Sequence, residues 1–192
     1  MRLYEFTNSK PLVIIDVQRA YQTYFGDDYL YKIMQFISKH KGPIIIIFNT
    51  ETAGETKHDV LDFYYESCLN FDIDEEIINK LIFVPKDFGF LRNWMDQGVK
   101  DKDIIKVIRY MTLNRINDSR EIPDEIFDEL MSDYSTLYRE DSIYLPDLSI
   151  KQLKQYQNCY VCGGGRHECF KEMTLLFNAF NIKYTVIASL VY

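Results

Sequence analysis

Two early segments of the chain, Pro11–Val17 and Pro43–Thr50, carry nearly continuous apolar and β-branched side chains. Such runs lack the alternation of a half-buried strand and are typical of strands that a parallel sheet buries on both faces. Residues 29–40 between them show helical spacing, with an apolar face made by Leu30, Ile33, Met34 and Ile37. Lys-Gly-Pro then ends the helix. The first fifty residues therefore predict a β-α-β unit with two parallel strands.

Three later segments extend this pattern. LIFVPK (Leu81–Lys86), CYVCGG (159–164) and KYTVIASLVY (183–192) predict further strands, and the last two flank an amphipathic helical pattern over 167–181. We predict one α/β domain over residues 1–192, with a doubly wound, mainly parallel sheet and helices on both faces. LVIIDV, IIIIF and CYVCG are expected to be adjacent interior strands, because edge strands rarely have continuous apolar runs.

The middle of the chain, about 88–133, has helical periodicity and no clear strand. This is more helix than one crossover between parallel strands requires. The segment is therefore predicted to be a helical insertion in the single domain.

Reactive or polar residues follow three of the predicted strands. Asp16 ends the first, Lys86 ends the third, and the turn Gly163–Cys169 follows the fourth. Open α/β sheets bind ligands beyond the carboxyl ends of their strands, so we expect a site at this edge. Gly163, Gly164 and Gly165 would let a substrate approach the backbone, and the adjacent Arg166 and His167 are candidates to bind it.

The residue types at this edge suggest nucleophilic catalysis. Cys169 is predicted to open a helix, where the N-terminal dipole should lower the pKa of its thiol modestly. Asp16 could accept the thiol proton, and a cation could hold Asp16 and orient the substrate. Together these groups predict attack on an amide carbonyl, a thioester intermediate and its hydrolysis by water.

The chain resembles the isochorismatase-like cysteine hydrolases, which include nicotinamidases and carbamoyl-amide hydrolases. LVIIDVQRAY is similar to the first strand of that family and maps its catalytic base to Asp16. VCGGGRHECF is similar to the strand and loop before its nucleophile, and maps that nucleophile to Cys169. The resemblance also implies a cis peptide bond at Gly164–Gly165. It covers roughly the first and last fifty residues and leaves the middle unexplained.

The family's catalytic lysine has two candidates here. Lys86 has the required chemistry at a strand end, whereas Arg139 lies at about the family's distance before the cysteine. Arginine does not readily exchange a proton, but the choice stays open at this point. The family's Asp-x-His metal motif after the second strand is absent, so we expect no metal site and no cofactor.

The net charge and the hydropathy of the chain limit the classes of partner that we expect. The net charge of −7 argues against nucleic acid, and no run approaches the roughly twenty apolar residues of a membrane span. The first ten residues lack the apolar core of a signal peptide, so a cytoplasmic location is expected. The expected partner is a small-molecule substrate, and a homo-oligomer is left open.

Cys159 and Cys162 lie on a predicted strand, so we interpret them as buried core residues.

Two other function classes remain. A metal-dependent phosphohydrolase or nuclease could use carboxylates near strand ends, drawn from Asp16, Glu51, Asp147, Glu168 and Glu172. A non-catalytic protein of the same fold could instead hold a ligand or partner at the glycine turn. Sensitivity to EDTA would distinguish the first class, and indifference to Cys169→Ala would distinguish the second.

Overall fold

A computed structural model describes residues 10–50, 53–86, 91–134 and 153–192. Its core is a five-stranded sheet in which every neighbouring pair is parallel. The strands are β1 (Leu12–Ile15), β2 (Ile44–Asn49), β3 (Leu81–Lys86), β4 (Cys159–Gly163) and β5 (Tyr184–Val186). Their order across the sheet is β3-β2-β1-β4-β5, so the three most apolar strands lie in the interior. The predicted α/β fold class is confirmed.

Six α-helices whose bounds lie within the described residues accompany the sheet. They are α1 (Gln22–Lys39), α2 (Lys57–Asn70), α3 (Leu91–Asp96), α4 (Asp101–Asn114), α5 (Asp124–Leu130) and α6 (Cys169–Ala179). Short 3-10 turns occur at Arg19–Tyr21, Glu75–Lys80, Ser119–Glu121 and Ala188–Leu190. The last of these explains why β5 is shorter than the predicted strand, since the chain leaves the sheet after Val186. Among the described residues, no helix has the length and apolar character needed to cross a bilayer.

The strands alternate their side chains between two cores. Leu12 and Ile14 of β1 belong to a core cluster with the apolar faces of α1 and α2. Val13 and Ile15 belong to the opposite cluster, which contains residues of α4 and α6. Period-two alternation thus places helices on both faces of the sheet, as a doubly wound arrangement requires.

Helix α4 shows how the predicted insertion relates to this architecture. Its buried residues Ile104, Val107, Ile108 and Met111 lie in the same core cluster as Val13 and Ile15. Trp94 of α3 is also fully buried in that cluster. The described portion of the segment 88–133 is therefore integral to the main core and covers one face of the sheet.

Strands β1 and β4 approach each other too closely for a side chain at Gly163. This residue pairs with Ile15 and has φ of 81°, and an added Cβ would lie 2.3 Å from the carbonyl oxygen of Ile15. Left-handed backbone favours glycine, and the contact with rigid backbone leaves no room for adjustment. The first glycine of the turn is thus required by the packing of the sheet.

We predict that Gly163→Ala lowers the free energy of unfolding by about 3 kcal/mol or more, because it combines backbone strain with overpacking. Chemical denaturation of the purified variant would measure this loss. Gly165→Ala is the matched control, because its Cβ would meet only the Glu168 side chain at 3.6 Å and its φ lies outside the left-handed region. Equal stability losses in the two variants would contradict the assignment.

Candidate active site

Asp16 leaves β1 in an unusual backbone conformation. Its φ is 49°, in the left-handed region, and its N–H donates to the carbonyl of Ile47 at 2.8 Å. The side chain is fully buried at the carboxyl end of the sheet. Non-glycine residues adopt this conformation at a cost, and such positions cluster at functional sites. Local geometry and burial thus both single out this carboxylate.

Lys86 ends β3 and reaches the same point from the other side of β2. It is 1% exposed, and its Nζ lies 2.5 Å from Oδ2 of Asp16, forming a buried ion pair. Burial by itself lowers the pKa of the ammonium, but the neighbouring acidic groups, Asp16 foremost, outweigh it and raise the pKa above its ordinary value. The charged form of Lys86 is therefore favoured as long as the neighbouring acidic groups, Asp16 above all, are ionised.

Cys169 is the first residue of α6 and the only partly exposed cysteine of the chain, while Cys68, Cys159 and Cys162 are buried. Its thiol lies near enough to Asp16 and Lys86 for both groups to act on its pKa. Burial and the Asp16 carboxylate raise the pKa of this thiol well above its ordinary value, although Lys86 acts in the opposite direction. The predicted lowering by the helix terminus is wrong, because burial beside a carboxylate outweighs the dipole. A raised pKa keeps the thiol protonated at neutral pH.

The glycine turn brings the start of α6 against β1. Gly164 has φ of 67°, and an added Cβ would lie 2.9 Å from the backbone nitrogen of Phe170. The N–H groups of Glu168 and Phe170 both donate to the Gly165 carbonyl, at 3.0 and 3.1 Å. The expected cis bond at Gly164–Gly165 is wrong, since every peptide bond in the described residues is trans. Close packing of the turn on Phe170 accounts for the second glycine.

The other candidates from the sequence are less central. The side chains of Arg166 and His167 are exposed, although the Arg166 N–H donates to the Tyr192 carbonyl at 2.7 Å. Arg139, the alternative cation, lies outside the described residues, as do Glu51 and Asp147. The structure therefore brings together Asp16, Lys86 and Cys169 and leaves the two side chains after the glycines at the surface.

Gln18 fixes the ends of two strands beside this site. Its side chain is fully buried, and its Nε2 donates to the Asn49 carbonyl at 3.0 Å and to Glu55 Oε2 at 2.6 Å. The Asn49 N–H donates back to Gln18 Oε1 at 2.8 Å. Asn49 is paired with Lys86 in the sheet register, so this bridge links the segment after Asp16 to the strand beside the lysine. We infer that Gln18 helps to hold the spacing of the ion pair.

Two further residues lie at the site, Glu172 and Tyr192, and the sequence alone assigns neither of them to the cysteine chemistry. Glu172 is 4% exposed, and its Oε2 lies 3.7 Å from Lys86 Nζ. Its spacing of three residues from Cys169 on one helix was a usable signal. Tyr192 donates from its hydroxyl to the Asp16 carbonyl at 3.3 Å and packs its ring on Tyr29. Only the folded chain brings Tyr192 to Asp16, because 176 positions separate them.

No family model, curated protein or solved structure matches this chain. Within the described residues, no group of three or more histidine, cysteine or acidic side chains is arranged to hold a metal ion. The functional argument therefore depends on the geometry of Asp16, Lys86 and Cys169.

We predict that iodoacetamide at about pH 8 modifies Cys169 before the three buried cysteines, and that Asp16→Asn accelerates this reaction roughly tenfold. Asp16 raises the thiol pKa, so its removal lowers that pKa and increases the thiolate fraction at any pH below it. Peptide mass spectrometry would give the rate for each cysteine.

The matched control is Asp28→Asn, which removes an exposed carboxylate from α1. It should leave the rate at Cys169 unchanged. A slower or unchanged reaction in Asp16→Asn would show that the carboxylate does not act on the thiol.

Proposed function

We propose that this protein is a cysteine-dependent hydrolase of small amides or related C–N substrates, working through a thioester and related to the isochorismatase-like hydrolases. The observation that carries this proposal is the proximity of three groups at the carboxyl edge of the sheet. The Lys86 ammonium lies 2.5 Å from the Asp16 carboxylate, and both groups act on the pKa of the nearby Cys169 thiol. A nucleophile, a base and a fixed cation close together are the parts that acyl transfer requires.

In the first step, Cys169 Sγ attacks the carbonyl carbon while Asp16 accepts the thiol proton. An S–C bond forms, and the carbonyl π electrons move to the oxygen. Because the thiol is protonated at rest, transfer to Asp16 must accompany the attack. The Cys169 N–H, which has no acceptor among the described residues, is available to donate to the developing oxyanion at the start of α6.

In the second step, the tetrahedral intermediate collapses and the C–N bond breaks. Asp16 returns its proton to the departing nitrogen, which leaves as an amine or ammonia. Water then attacks the thioester while Asp16 takes one of its protons. The C–S bond breaks, and the sulfur recovers that proton to restore the thiol. Lys86 stays charged throughout and stabilises the Asp16 carboxylate whenever it is ionised.

The position of Lys86 bears on the metal-dependent alternative. Its ammonium already lies close to both buried carboxylates, Asp16 and Glu172. A magnesium ion held by these two oxygen ligands would have to share this space with a buried positive charge, which Coulomb repulsion opposes. The arrangement therefore favours the cysteine mechanism.

We predict that the protein releases ammonia from at least one member of a panel of nicotinamide and small N-carbamoyl compounds. Cys169→Ala and Asp16→Asn should each lower kcat/KM by about a thousandfold or more, because nucleophile and base act as one unit. A coupled ammonia assay with and without EDTA would measure this.

Cys68→Ala provides the matched control, since Cys68 is a buried cysteine of α2 in the core. It should retain activity. Full activity in Cys169→Ala, or loss of activity only when EDTA is added, would overturn the proposed function.

A further inference from the structure

Glu172 is a buried acidic side chain beside the three proposed catalytic groups. It lies in the first turn of α6, three residues after Cys169, and is 4% exposed. Its Oε2 is 3.7 Å from Lys86 Nζ, whereas Asp16 Oδ2 is 2.5 Å from the same atom. The ammonium therefore interacts with one close carboxylate from β1 and a second from α6.

The negative charge of Glu172 lies close enough to Lys86 and Cys169 to act on both side chains. Opposite charges this close together attract strongly where the surrounding protein shields them from water. The negative charge of Glu172 also contributes to raising the pKa of both Lys86 and Cys169. Glu172 is thus electrostatically coupled to the nucleophile as well as to the cation.

In the reaction cycle of the proposed function, the electrostatic interaction between Glu172 and Lys86 has a role. When Asp16 accepts the thiol proton, it loses its negative charge while Lys86 stays positive. Glu172 retains a negative charge next to the ammonium at that moment. A buried cation is held in place only as long as compensating charge stays near it.

We propose that Glu172 is a positioning residue, which holds the Lys86 ammonium in the site during the steps in which Asp16 carries the proton. This inference rests on the proposed function for its catalytic meaning, whereas the electrostatic contact itself can be tested without any substrate. Glu172 joins α6 to β3 through Lys86, so the helix that supplies the nucleophile also fixes the cation.

The test compares Glu172→Gln with the wild-type protein in two assays. Iodoacetamide should modify Cys169 roughly three- to tenfold faster in the variant at a fixed pH near 8, because the negative charge that opposes thiolate formation is gone. With an amide substrate, kcat should fall roughly tenfold to a hundredfold while KM changes little. A merely structural residue would not accelerate the alkylation.

Two further variants complete the design. Glu172→Asp keeps the charge but withdraws it by one methylene, so both effects should be smaller, and it carries the test if the glutamine variant does not fold. Glu129→Gln removes an exposed carboxylate from α5 and should alter neither rate.

The outcomes are distinguishable. Unchanged alkylation in both Glu172 variants overturns the inference, and so does faster alkylation with unchanged kcat. Failure of the wild-type protein to hydrolyse any amide defeats the proposed function instead, and the alkylation rates then decide alone whether Glu172 is coupled to the cation and the thiol.

Discussion

The buried ion pair between Asp16 and Lys86 is the interaction on which the candidate site depends. Both side chains are almost completely excluded from solvent, and their charged atoms lie 2.5 Å apart. Desolvating two charges costs several kcal/mol each, and their attraction often only offsets that cost. A pair of this kind is a weak source of stability. The pair lies beside a cysteine at the sheet edge where open α/β folds bind ligands, which is the place that the proposed chemistry requires.

The sheet supplies the constraints that make this pair possible. Strands β1 and β3 flank β2, so an aspartate and a lysine at their carboxyl ends meet across one intervening strand. Gly163 lets β4 lie against β1, where an added Cβ would be 2.3 Å from the Ile15 carbonyl. The turn then delivers Cys169 to Asp16. The site therefore depends on the close spacing of the β1 and β4 backbones, which a side chain at Gly163 would prevent.

The strands could be predicted because their cause is local. Continuous apolar runs such as Ile44–Phe48 are typical of a strand buried on both faces, and the structure buries those of β1, β2 and β4. The contact of Lys86 with Asp16 could not be predicted from the sequence, because it depends on strand order. The sequence alone also led to the wrong direction for the Cys169 pKa, since a helix start is visible in the pattern whereas burial beside Asp16 is not. Similarly, the place of α4 in the main core depends on contacts with α6 that no local pattern encodes.

The central claim is that Cys169 is an acyl acceptor served by Asp16 and Lys86. Its most direct test needs no natural substrate: the protein is mixed with p-nitrophenyl acetate, quenched in acid and digested for mass spectrometry. The account predicts a rapid burst of p-nitrophenolate and an acetyl group on the peptide that contains Cys169. Both should be lost in Cys169→Ala and strongly reduced in Lys86→Gln, because the site then lacks its nucleophile or its cation. Acetylation confined to surface lysines, with an unmodified Cys169 in the folded protein, would contradict the account.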